Sequence, residues 1–173
     1  MELQLESMAV EMPQVEGHPN RCGFRGVLTT VDRASDRAPS GARGHRVMLT
    51  AEAAEAALPS LLGMAVDYAP ELDRHDARRK AGIITDAELR NLATGGQCIA
   101  VRGYIFARDF PEVIEAVREM GRAELGMSYE IADVRVADVN AEVWRVTQFA
   151  FTGAAVLKRG RAAYRDTWLE LEN

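Results

Sequence analysis

Along Leu125-Gly126-Met127-Ser128-Tyr129-Glu130-Ile131 the apolar side chains fall at every second position. A period of two belongs to a half-buried strand, not to a helix. Met127, Tyr129 and Ile131 therefore share one face, and Ser128 and Glu130 share the other. Past Ala132-Asp133 the apolar parity flips to Val134 and Val136, which predicts a bulge or break in that strand.

The same short period recurs along most of the chain. Residues 22–31 and 45–49 read as strands, separated by a polar loop rich in glycine, proline and serine. Residues 65–68 form a brief strand, 82–85 another, and 97–106 a longer one with Ile99, Val101 and Ile105 as its apolar set. Residues 143–152 are apolar on both faces and so need cover on both sides. Helical spacing appears in two places. Thr50 can cap a short helix carrying Ala54, Ala57, Leu58 and Leu61, which Pro59 should end or distort. Asp109, with Glu112 three residues on, resembles a capping box ahead of the stripe Phe110, Val113, Ile114 and Val117. Many short strands with two or three helices predict a mixed α+β fold, an antiparallel barrel or sandwich flanked by helices.

Length sets the scale: 173 residues suit a single domain spanning 1–173. Residues 1–20 are expected to be a mobile N-terminal segment. Residues 158–173, basic at Lys158, Arg159, Arg161 and Arg165 and then amphipathic around Trp168, Leu169 and Leu171, are expected to pack on the barrel or at a dimer interface. A net charge of −5 gives no general electrostatic case for nucleic acid or anionic lipid. No apolar run approaches the roughly 20 residues that span a bilayer. The first residues carry acids where a secretory signal would carry lysine or arginine. Cys22 and Cys98 fit no zinc spacing, and a reduced, intracellular setting is the simpler reading.

The chemistry candidates are few. Ser128 on its strand and His75 in the charged loop Asp73-Arg74-His75-Asp76 are the two parts a serine hydrolase needs, since an unaided hydroxyl is a weak nucleophile. A neighbouring carboxylate, Asp73 or Asp76, could orient the imidazole. From pattern alone a solvent-facing strand serine and a solvated surface histidine are the commoner readings. No G-x-S-x-G elbow is present, so an α/β-hydrolase has no support. Gln148, amid Trp144, Val146 and Ala150, either satisfies backbone or orients a base. His18 sits in a turn and His45 at a strand start. With three histidines and two distant cysteines, neither a metal site nor a cofactor is expected. The basic cluster reads as solvated surface, as a source of an oxyanion-stabilising arginine, or as a holder of an acidic partner.

Three segments together resemble a known family. Gly63-Met64-Ala65-Val66, Asp73-Arg74-His75-Asp76 and Gly82-Ile83-Ile84 are similar to the histidine region of tailed-phage prohead (capsid maturation) proteases. Leu125 to Glu130 resembles their nucleophile strand, and Val146 to Ala155 the segment that follows it. The likeness covers about residues 22–167 and rests on the order of elements more than on any one motif. It implies a closed antiparallel β-barrel wrapped by a few helices, as in the herpesvirus assemblin proteases. It implies a serine endopeptidase with Ser128 as nucleophile and His75 as general base. Many phage members carry a glutamate in the closing strand where this chain has Gln148. The substrates implied are phage scaffold and major capsid precursor proteins, cut within immature heads in the bacterial cytoplasm. Assemblin-like relatives commonly form homo-oligomers, and no nucleic acid, membrane or cofactor is implied. The alternative is a catalytically weak or inactive barrel kept as a structural or binding component of head assembly.

Overall fold

The computed structural model describes residues 17–172; residues 1–16, most of the expected N-terminal segment, lie outside the described residues. Eight strands form one sheet: β1 (Cys22–Val31), β2 (Arg46–Leu49), β3 (Ala65–Asp67), β4 (Lys80–Asn91), β5 (Gln97–Ile105), β6 (Leu125–Val136), β7 (Val143–Lys158) and β8 (Trp168–Leu171). Among the described residues two α-helices, α1 (Ala51–Ala57) and α2 (Pro111–Glu124), accompany it. The mixed α+β composition follows the strand-dominated periodicity.

The expected closed antiparallel barrel is not formed. The sheet is open and curls through about 210°. Its order is β2-β7-β3-β4-β5-β1-β8, with β6 on the other flank of β7. Two pairings are parallel, β2 with β7 and β3 with β7, so the sheet is mixed. Closure fails between β6 and β8. β8 is only four residues long and spends its ladder on β1, from Phe24↔Leu171 to Val27↔Trp168. The Met127 amide, which would bond a closing strand, donates instead to Thr167 Oγ1 at 3.1 Å. A side chain thus stands where a ladder would have to continue.

The long β7 organises the rest. Its two ends pair successively with β2 and β3 on one edge, and β6 runs along the other. The expected cover on both faces of residues 143–152 is not found, since Arg145, Thr147, Gln148 and Thr152 are exposed; it occurs farther along β7, where Ala154, Ala155, Val156 and Leu157 are all buried. On the concave side Phe24, Leu28, Ile84, Ile99, Ile105, Met127 and Leu169 fill the core. The predicted break in β6 is present, with a register shift between Ala132 and Arg135 and Asp133 at φ 54°.

Thr50 caps α1 by accepting from the Ala53 amide, and the helix gives way at Leu58 to a 3₁₀ turn containing Pro59. In α2 the buried stripe is Val113, Ile114 and Val117, but the expected cap differs. Phe110 occupies the cap position with no side-chain bond, Pro111 opens the helix, and Asp109 accepts from Asn20 Nδ2 at 2.8 Å. Proline at the first turn needs no amide partner, which removes part of the demand for a capping side chain. Gly121, at φ 57°, ends the regular helix and turns the chain into β6. Cys22 and Cys98 are both free thiols.

Candidate active site

The register of three strands brings the site together. Asp67 on β3 lies opposite Ala155 on β7, and Ala155 lies opposite Ser128 on β6. Residues in register on neighbouring strands share a face, so Asp67, Ala155 and Ser128 form one row. Two strand spacings put the Asp67 and Ser128 backbones about 10 Å apart, with only an alanine methyl between them. Glu130 follows Ser128 by two residues on the same face and reaches over Gly153, where a Cβ would lie 3.1 Å from Glu130 Oε2.

His75 comes from the loop of residues 68–79 joining β3 to β4. That loop is anchored at several points. Its Leu72 carbonyl accepts from the Lys158 amide at 2.7 Å, and the Asp76 amide donates to Asp67 Oδ1 at 3.0 Å. Held this way, His75 presents Nδ1 at 3.4 Å from Asp67 Oδ2 and 3.4 Å from Glu130 Oε1. Asp67 is fully buried, and Lys80 Nζ approaches its Oδ2 at 3.7 Å. Burying a carboxylate is costly unless hydrogen bonds and counter-charges compensate it.

The carboxylates flanking His75 in sequence do not orient it. Asp73 pairs with Arg74 at 3.2 Å, and Asp76 faces Arg78 and Arg79. The Arg78 amide bonded to Asp76 holds that carboxyl below its ordinary range. Asp67, eight residues upstream, takes the orienting position instead. Its signal in the sequence was a lone carboxylate on a very short strand just before the histidine loop. Gln148 does not enter the site: it is exposed, pairs with Arg135, and lies seven residues along β7 from Ala155 (155 − 148), about 23 Å away.

Ser128 and His75 line one cleft of about 900 Å³, together with Glu130, Arg37, Arg161 and Trp144. That volume accommodates a drug-sized molecule or several residues of an extended peptide. The structure brings the two predicted residues to the same cavity; among the described residues no hydrogen bond joins them. The imidazole is held from its Nδ1 side, and among the described residues Nε2 has no hydrogen bond. This polarity of holding suits a general base, because a carboxylate at Nδ1 fixes the tautomer with its lone pair on Nε2.

Asp67, His75 and Glu130 also each present a ligand atom, all within 4.8 Å of one another, and so could hold a divalent metal ion. A count of histidines and cysteines passed over this set, because two of its members are carboxylates. Lys80 competes with a metal for Asp67 Oδ2. His45 and His18 take structural positions: His45 stacks on Trp144 at 4.6 Å between centroids, and His18 Nδ1 accepts from the Asn20 amide.

No protein-family model, curated protein or solved structure matches this chain.

Proposed function

We propose that this chain is a serine endopeptidase of the prohead type, cutting scaffold and major capsid precursor proteins during phage head maturation. The observation that carries the hydrolytic part is the row Asp67–Ala155–Ser128 with His75 held at Asp67 through Nδ1. The choice of substrate rests on the sequence resemblance alone.

Ser128 Oγ attacks the scissile carbonyl while His75 Nε2 takes its proton. Asp67, fixed by the Asp76 amide, keeps the imidazole in the required tautomer and balances the imidazolium that forms. His75 then returns the proton to the leaving amine, and a water repeats the sequence on the acyl-enzyme. The missing His75–Ser128 bond in the free protein does not oppose this, since such bonds often tighten only with substrate in place. The same missing bond favours a second reading, an inactive fold kept as a structural component of head assembly.

A fluorophosphonate probe separates the two. Labelling of Ser128 that disappears in His75→Ala supports the peptidase. Absence of labelling, both in the isolated protein and in assembled heads, supports the structural component. Co-expression with the scaffold and coat precursors, comparing wild type with Ser128→Ala, tests the substrate assignment separately.

A further inference from the structure

Three side chains from three elements converge beside the cleft: Asp67 from β3, His75 from the loop that follows it, and Glu130 from β6. Their ligand atoms all lie within 4.8 Å of one another. His75 Nδ1 stands 3.4 Å from Asp67 Oδ2 and 3.4 Å from Glu130 Oε1. Both distances exceed the usual N–H···O separation of about 2.7–3.2 Å. They match the edges of a zinc tetrahedron, since bonds of about 2.0–2.2 Å put neighbouring ligands about 3.3–3.6 Å apart.

Asp67 is fully buried, yet among the described residues its Oδ2 has no polar partner nearer than 3.4 Å, and Lys80 Nζ stands off at 3.7 Å. Contacts so long compensate the burial of that oxygen poorly. The other oxygen, Oδ1, is fixed by the Asp76 amide at 3.0 Å, an outer bond of the kind that aims a metal ligand. Gly153 leaves open the space that the Glu130 carboxylate fills, because a Cβ there would come within 3.1 Å of Oε2. Two carboxylates balance a divalent ion, and the exposed Lys80 side chain can turn into solvent. One imidazole with two carboxylates suits zinc better than calcium or magnesium, which take more ligands and prefer oxygen alone.

We propose that Asp67, His75 and Glu130 form an inhibitory zinc site. Zinc takes the lone pair of Nδ1, and a neutral ring so bound carries its proton on Nε2. Nδ1 gives its proton to solvent and Nε2 takes one from solvent, so the ring stays neutral. The nitrogen offered to Ser128 is then a donor and no longer a base. Binding follows from the arrangement of the three ligands; inhibition rests on the peptidase reading.

Binding is measured by titrating zinc sulfate into the full chain, stripped of metal by dialysis against a chelator, in a calorimeter. One zinc per chain is expected at this site. His75→Ala should weaken it by about tenfold or more, and so should Glu130→Gln, a partly exposed position where folding is not at risk. Fluorophosphonate labelling of Ser128 should slow by about a hundredfold in saturating zinc and recover when EDTA is added. In Glu130→Gln, measured against that variant's own zinc-free rate, the slowing should need about tenfold more zinc or greater. Absence of saturable binding, or binding unchanged in both His75→Ala and Glu130→Gln, overturns the site and leaves zinc an adventitious ion only. Zinc that binds through these residues without slowing the labelling overturns the inhibitory role. Should the wild type never label in the absence of zinc, the peptidase reading fails and the inhibition with it, while the calorimetry still decides the site.

Discussion

Met127 and Thr167 meet at the point where the sheet stays open: the Met127 amide donates to Thr167 Oγ1 at 3.1 Å, and that hydroxyl donates onward to the Tyr164 carbonyl at 3.0 Å. One buried hydroxyl therefore satisfies two backbone groups at the start of the serine strand. Thr167→Val keeps the shape and removes both bonds, leaving the buried Met127 amide unpaired. The expected cost is about 1–3 kcal/mol. Urea unfolding should show a lower midpoint with an unchanged m-value; an unchanged midpoint would mean the seam contributes nothing.

The two carboxylates beside His75 should differ sharply in kinetic weight. Asp67→Asn keeps a carbonyl acceptor for the Asp76 amide but presents the wrong partner to Nδ1. We expect a loss on the order of 10³–10⁴-fold in kcat/KM, or in the rate of Ser128 labelling. Glu130→Gln, more exposed and farther from the anchored loop backbone, should lose about tenfold or less. A reversed order of the two effects would assign the orienting role to Glu130.

Alkaline pH should expose the tyrosine pair. Burial raises Tyr164 to about 12 and Tyr129 well above its ordinary value of 10. A phenol is neutral when protonated, so the folded chain keeps these protons at a pH where the unfolded chain gives them up. The stabilisation is whole below about pH 10 and is lost as pH climbs from 10 toward 12, about 2–3 kcal/mol for Tyr164 alone. Absorbance at the phenolate band should rise for these two residues only as ellipticity falls. Among the described residues the buried Tyr129 hydroxyl finds no partner in hydrogen-bond geometry, so Tyr129→Phe should leave stability unchanged or raise it.

Among the described glycines, Gly103 has the least room for a side chain. A Cβ there would sit 2.0 Å from the Ile83 carbonyl oxygen and 2.8 Å from the Phe24 ring. Neither backbone nor a core aromatic can withdraw by that much without opening the β4–β5 ladder. Gly103→Ala should cost about 3 kcal/mol, read as a fall in thermal midpoint. Retention of the wild-type midpoint would show that the strands separate freely.

Strand content, the two faces of β6, its break near Asp133 and the Thr50 cap were legible because each is written in local spacing. Ser128 and His75 could be singled out for the same reason: one lies opposite an apolar face, the other within a charged loop. The third member of the group was not legible. Asp67 joins the row of Ser128 only because β3 adds to β7 in parallel, and a three-residue strand carries no signal for its partner or direction. Gln148 drew attention through its apolar neighbours, yet its distance along β7 removes it from the site. The open seam was hidden as well, since it depends on how far β8 extends and on one threonine side chain.

The site is also an assembly of remote parts. Asp67 and Ala155 are 88 residues apart (155 − 67), and both must be in register before Ser128 faces its orienting acid. Pairings of such separation form late and slowly, after the loop-closure entropy has been overcome. A nascent chain on the ribosome lacks the row altogether until β7 has been synthesised. Whatever reaction the row supports is thereby withheld during translation, with no inhibitor required.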